Sequence, residues 1–373
     1  MTDDMATRRA LPVHARAAAL VFAALATNTG IAATFCADTA AQLQAILTIA
    51  QANGEDDEVR IHSGTYEAPH LGFRYAAGAG EPFGLEISGG WHPLVQLECA
   101  WHDRDPWSTL LTGGGDDRVL RIEAGGASSD VRVERIVFIN GEVGSFDAAG
   151  LAIIHLPSAS GDVAIESSVF LNNHSSYGAG LSVHSNGPDV SIVNSLFVLN
   201  SALHTGSAVA IENAGIDRRI VFTNNTVVAN ALDDFAEDTA AAVYFNSGGT
   251  FVANNNFWDN DGYDLDPGAS GSRSIFNNNY ASLRAYGSET LEGNLSVAPE
   301  YESGFLNYTP VRTSPLVDAG REPRGIDPGW HLAEFDINGA RRVVGEHVDI
   351  GAFENERILV DGFDPQGPFD IAE

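Results

Sequence analysis

Lysine is missing from all 373 residues, and cysteine and methionine occur twice each. Without lysine no Schiff base or lysine general base can form, so every fixed positive charge rests on arginine. Two thiols without clustered histidines are also a poor metal site. Positive charge is scarce overall: 20 basic residues face 50 acids, a formal charge of −30. This balance lacks the basic footprint that phosphate contacts require, so no nucleic acid partner is expected. Long apolar runs are absent too. The longest, at residues 17–26, falls well short of the ~20 residues that cross a bilayer, so no transmembrane segment is expected in the mature chain.

What is present begins with an export signal. Arg8, Arg9 and Arg16 precede or edge that apolar run, and small residues follow to Ala33, so residues 1–33 read as a cleaved signal peptide. A buried N-terminal helix is the competing reading. Loss of three arginines with Asp3 and Asp4 takes the formal charge from −30 to −31. An exported chain meets an oxidising compartment, where Cys36 and Cys99 are expected to form a disulfide. Thr34 and Phe35 are too large for a lipid-anchor reading of Cys36. The expected location is extracellular or on the outer surface of the cell.

The main signal is repetition. Val133-Glu134-Arg135-Ile136-Val137-Phe138, Ile165-Glu166-Ser167-Ser168-Val169-Phe170, Ile192-Val193-Asn194-Ser195-Leu196-Phe197, Phe222-Thr223-Asn224-Asn225-Thr226-Val227 and Val252-Ala253-Asn254-Asn255-Asn256-Phe257 superpose without gaps. Three residues beyond each stand Gly141, Asn173, Asn200, Asn230 and Asn260, and a fainter copy follows at Ile275. A second register alternates apolar with other residues at Leu151-Ala152-Ile153, Leu181-Ser182-Val183, Val209-Ala210-Ile211 and Val243-Tyr244-Phe245. Each repeat therefore holds at least two short strands. Units this small cannot bury a face alone and must stack as coils of parallel sheets. The expected fold is all-β, a right-handed parallel β-helix (solenoid).

Both ends need caps. Asp38 or Thr39 can start a helix over residues 40–52, with Leu43, Ile46, Leu47 and Ala50 on one face and Asn53-Gly54 as its stop. This gives an N-terminal cap with a capping helix over 34–58, a β-helix over 59–300, an irregular C-terminal cap or closing segment over 301–354, and a tail over 355–373.

These residues resemble bacterial exported right-handed parallel β-helix proteins, specifically the choice-of-anchor Q domain group. The match is carried by Gly64-Thr65-Tyr66, Ile87-Ser88-Gly89-Gly90-Trp91, Ser314-Pro315-Leu316-Val317-Asp318-Ala319-Gly320, Asp336-Ile337-Asn338-Gly339-Ala340-Arg341 and Asp349-Ile350-Gly351-Ala352-Phe353-Glu354. The stretch Ile358-Leu359-Val360-Asp361-Gly362-Phe363-Asp364 is similar to a tail on exported proteins of some gammaproteobacteria. The resemblance implies a fold and a surface location, but no activity.

Two places can carry chemistry. Strand alternation turns Ser182, His184, Ala210, Glu212, Tyr244 and Asn246 outward on one sheet, beside an acidic loop with Asp233, Asp234, Glu237 and Asp238. Such a groove could hold acid-base carboxylates; the alternative is a solvated face with a polar loop. The second place is Asp259-Asn260-Asp261-Gly262-Tyr263-Asp264-Leu265-Asp266, whose closely spaced acids Asp259, Asp261, Asp264 and Asp266 suggest calcium. There the alternative is a coil corner with Asn260 in the asparagine column. Tyr244, Trp258 and Tyr263 are candidate sugar-stacking aromatics. Asp233-Asp234 matches one element of pectin-hydrolase sets, and Arg321-Glu322-Pro323-Arg324 loosely matches an arginine-proline lyase motif, but the remaining elements are absent. The expected function is a surface or adhesion module. Alternatives are a polysaccharide lyase or glycoside hydrolase and a non-catalytic glycan-binding protein, with an extracellular polysaccharide or cell-surface glycan as partner.

Overall fold

The computed structural model describes residues 32–355 apart from 95–97, 145–146, 188, 214–217, 234–237, 326 and 328. The coils pass in turn through short strands of the long sheets, and three coils add a fourth strand, as in Val163–Glu166, Val169–Leu171, His174–Tyr177 and Leu181–His184, before Asp189–Val193 opens the next coil. Equivalent strands pair in parallel from coil to coil. The pairing builds one sheet of eleven strands, two of seven, and a short sheet of three. Among the described residues, the only antiparallel member of the long sheet is Trp101–His102, which pairs with the end of Leu85–His92. The fold is thus a parallel β-helix with one short α-helix among the described residues.

The sequence dictates this stacking at three levels. Inside the coils, Phe138, Phe170 and Phe197 lie in one register column and stack with ring centroids 5.1 and 4.7 Å apart. Val227 is too small to continue the column. Phe222 leans in from the long sheet to bridge it, 6.2 Å from Phe197 and 6.2 Å from Phe257. Burial of each such ring contributes roughly 1.5–3 kcal/mol.

At the corners, asparagines form two ladders. Asn200 shows the unit of the first: its Nδ2 donates to Phe170 O and to Asn230 Oδ1, while its own Oδ1 accepts from the backbone N and the Nδ2 of Asn173. Asn230 and Asn260 continue the ladder. The second runs through Asn225, Asn255, Asn278 and Asn294 at the preceding corner.

A residue in the left-handed conformation stands immediately before each ladder member. These are Asn172, Leu199, Ala229 and Asp259 at one corner and Asn224, Asn254, Asn277 and Gly293 at the other, where Asn194 stands likewise before Ser195. Asparagine tolerates that conformation better than Leu199 or Ala229 do.

The N-terminal helix Ala40–Ala50 is capped by Thr39, whose Oγ1 accepts from Gln42 N, and buries Leu43 and Leu47 on the first coil. Before it, the strand Ala33–Ala37 already pairs with Asp57–His62, so the long sheet begins inside the expected cap. Cys36 and Cys99 are joined as a disulfide.

The closing segment does more than cover the last coil. It runs back along the outside of the second sheet, where Val137, Val169, Leu196 and Val198 face outward and need cover, and packs Ile337, Ala352 and Phe353 on them. Side chains of the left-handed corner asparagines hold it there: Asn194, Asn254 and Asn277 donate to the carbonyls of Phe335, Arg321 and Ala319. The motif acids pin the segment internally. Asp336 accepts from the backbone N of Asn338, Ala340 and Glu354, and Asp349 from those of Asp318 and Asn355. Glu354 is buried beside Asp349 and Arg342; burial pushes its carboxyl up to about 8, despite the Arg342 guanidinium 3.5 Å away.

Backbone strain, ladder contacts and buried charge can each be tested by substitution. Relief of backbone strain in Leu199→Asn should stabilise by roughly 0.5–1 kcal/mol, raising the melting temperature about 1–2 °C. Asn200→Ala, by stranding several buried partners, should cost roughly 3 kcal/mol or more in denaturant titration. For Glu354, the folded chain holds a proton that the unfolded chain releases above its ordinary value of 4.5. Its contribution is therefore fully present below that value and is lost as pH rises through about 8. The melting temperature of Glu354→Gln should fall less between pH 6 and 8.5 than that of the parent chain; parallel curves would refute the assignment.

Candidate binding cleft

The third sheet contains a register column running Arg74, Arg121, Ala152, Ser182, Ala210, Tyr244 and Asp266, all on its outer side. The middle of this column is made of small residues and its ends of large or charged ones, so the outer face sinks into a saddle. The next outward column, Ile154, His184, Glu212 and Asn246, forms one rim. The opposite wall comes from the short fourth sheet, whose strands His174–Tyr177 and Ser201–Thr205 carry Tyr177, His204 and Thr205. Gly178 and Gly206 make the turn from this wall down to the floor. Both have positive φ, and a side chain on either would strike Ala210.

The resulting cleft has a volume of about 460 Å³ and is closed at one end by Tyr244 and Arg284. In its wall, the Tyr177 and His204 rings lie 4.9 Å apart. On the rim, His184 Nδ1 and Glu212 Oε2 are 3.2 Å apart, and Asp147 Oδ1 is 3.8 Å from His184 Nε2. The hydrogen bond to Glu212 raises the imidazole above its usual range and lowers the Glu212 carboxyl. Burial pushes the Tyr244 hydroxyl up, with Asp266 and Glu212 adding to the effect. Each neighbouring cation is paired: Arg284 with Asp266 at 2.8 Å, and Arg121 with Glu123 and Asp147.

The structure thus brings His184, Glu212 and Tyr244 to one cleft, with Ser182 and Ala210 as floor. Ser182 faces outward yet is covered, because the Ala148 backbone N–H donates to its Oγ at 2.8 Å. Of the acidic loop, Asp234 and Glu237 lie outside the described residues. Asp233 follows the last strand of the fourth sheet, its N–H donating to Ala202 O, and exposed Asp238 precedes the lining residue Thr239. Trp258 and Tyr263 do not line the cleft.

The calcium expectation fares differently. Asp264 Oδ2 accepts from the backbone N of Ala281 and Ser282, and its Oδ1 from Asn260 Nδ2. Asp266 is occupied by Arg284 and by the Tyr286 hydroxyl, and Asp261 accepts from Leu232 N. These acids are corner acceptors facing different neighbours; among the described residues they do not converge as a metal-ligand cluster. Arg321 is likewise engaged, paired with Asp327 and lying 4.6 Å over the Phe276 ring.

Sequence reading missed the wall residues Tyr177, His204 and Thr205 and the end residue Arg284. The repeated Tyr177-Gly178 and Thr205-Gly206 pairs, each just ahead of a floor strand, were the available signal.

No known family's sequence profile matches this chain, and no curated protein matches it. Among solved structures it is similar to the crystal structure of pectate lyase Pel9A, at 13% identity and a TM-score of 0.33, over 82% of this chain and 90% of that one. At that identity the likeness concerns the fold alone, and the coil architecture rests on the strand register described above.

The rim pair can be tested directly. By NMR titration His184 should ionise above the ordinary 6.5, and Glu212→Gln should bring it down; an unshifted His184 in the variant would show that no such bond forms in solution.

Proposed function

We propose that this protein is an exported surface protein that binds an extracellular saccharide in the third-sheet cleft. The observation that carries the reading is the cleft's composition: an aromatic and imidazole wall, a floor of small residues, and polar groups already paired with one another. Aromatic faces stack on the apolar faces of sugar rings, while paired carboxylates and guanidinium groups offer oriented acceptors and donors to hydroxyls. Because the cations are matched by acids, the cleft suits a neutral, hydroxyl-rich ligand better than a polyanion. Surface placement is supported by the N-terminal export signal and by the resemblance of the closing-segment motifs to the choice-of-anchor Q group. With an adhesion module of this kind, the ligand is a cell-surface glycan or extracellular polysaccharide.

A second reading draws on one observation. His184, oriented through Nδ1 by Glu212 in the cleft that Tyr244 also lines, has the base-and-orienter arrangement of general acid-base catalysis, which would make the cleft that of a polysaccharide lyase or glycoside hydrolase. Asp233 and Asp238 lie on the segment that leads to this cleft and would supply its acids, with Asp234 and Glu237 between them in the sequence.

A glycan array followed by calorimetry separates the readings. Binding without product release is expected, with Tyr177→Ala lowering affinity about tenfold, roughly 1.4 kcal/mol. Turnover that His184→Ala abolishes would replace the binding function by the enzymatic one. No binding to any saccharide would remove both.

A further inference from the structure

We propose that Cys36, Cys99 and His62 form a soft divalent-metal site of the zinc type when the disulfide is reduced. Strand pairing creates the cluster. Cys36 lies on the outermost strand opposite Arg60, and His62 ends the neighbouring strand two residues further on. One donor atom from each of the three residues lies within 4.8 Å of the other two. His62 Nε2 is 3.2 Å from Cys36 Sγ. In a tetrahedral zinc site, bonds of about 2.3 Å to sulfur and 2.0–2.1 Å to nitrogen place S and N roughly 3.5 Å apart, close to the spacing already present.

Contacts other than the S–S bond also hold the backbone around the cluster. The Cys99 carbonyl accepts from Arg60 Nη1 at 3.3 Å, and the Ala100 N–H donates to His92 O. Arg60 is in turn held by Glu58 and lies 4.2 Å over the Trp91 ring. Once the bond breaks, the two sulfurs must separate to non-bonded contact, and His62 Nε2 must exchange its 3.2 Å hydrogen bond to the Glu98 carbonyl for the metal, with its proton moving to Nδ1. Three protein donors then leave a fourth position for water.

The redox step balances with a dithiol as reductant. Two electrons and two protons pass to Cys36 and Cys99, and the dithiol closes to its own disulfide. The metal then displaces both thiol protons, and His62 binds through Nε2 with its proton on Nδ1. Disulfide and metal are alternative occupants of the same donors, so oxidation expels the ion.

The test uses the full chain, reduced with a dithiol, freed of reductant without air, and titrated with cobalt(II). One equivalent should bind with thiolate-to-cobalt charge-transfer absorption and tetrahedral d–d bands, bleached by zinc, while the oxidised chain shows neither. His62→Ala, which leaves both cysteines in place, should weaken binding at least tenfold and alter the d–d bands. A reduced chain with no charge-transfer band, or a His62→Ala spectrum and affinity identical to the parent's, would overturn the proposal. Circular dichroism of the reduced chain confirms that the coils persist, and a chain that unfolds on reduction would overturn it as well.

Discussion

Vertical register at the coil corners is the constraint on which the rest of this structure depends. A parallel solenoid gains most of its stability from apolar stacking, but stacking alone is tolerant of sliding. The asparagine ladders are not, because each amide must meet one carbonyl below and one amide above. A slip by one residue would turn the inward column outward and leave those buried amides unpaired, at roughly 1–3 kcal/mol each. The left-handed residue before each ladder member produces the bend that points the amide inward. Two such corners flank every three-residue strand from Val137–Ile139 to Thr226–Val228, so bend, ladder and strand form one repeating device.

Once register is fixed, surface chemistry becomes a matter of columns. A side chain on one coil sits about 4.8 Å from its equivalents on the next, so residues nearly thirty apart in sequence become neighbours. His184 meets Glu212 in this way, and the run Ala152, Ser182, Ala210 becomes a depression instead of three scattered small residues. The closing segment exploits the same property from outside, its carbonyls meeting three of the corner asparagines along the stack.

Much of this was legible in the sequence. The gapless repeat and the Phe-x-x-Asn spacing identified the coils, and strand alternation identified the outward column with His184, Glu212 and Tyr244, because period two and fixed register leave little freedom. The second ladder was harder to see, since Asn225 and Asn255 sit beside other asparagines and serine takes their place in earlier coils. The fourth sheet was illegible for a physical reason: Ser175, Ala202 and Leu232 lack the apolar alternation that marks a buried strand. The path of the closing segment was hidden because its anchors are backbone carbonyls, which carry no residue signature. The acids of 259–266 show the limit of spacing, which does not distinguish acids that surround an ion from acids such as Asp261 and Asp264 that accept backbone N–H groups from different neighbours. His62 was missed beside Cys36 because strand pairing, not sequence proximity, brings them together.

Charge distribution gives the cleft its meaning. A chain at −30 repels polyanions at long range, and that repulsion is not relieved at the cleft, where Arg284, Arg121 and His184 each face a carboxylate. Long-range steering therefore contributes little to the proposed recognition, and selectivity must come from contact: ring stacking on the wall and hydrogen bonds to groups whose orientation is already fixed. Pre-paired side chains lose little conformational entropy when a ligand arrives, which favours a rigid cleft over one that closes. The floor supports the same conclusion, since Gly178 and Gly206 bring the wall so close to Ala210 that even a methyl group at either turn would have to displace it.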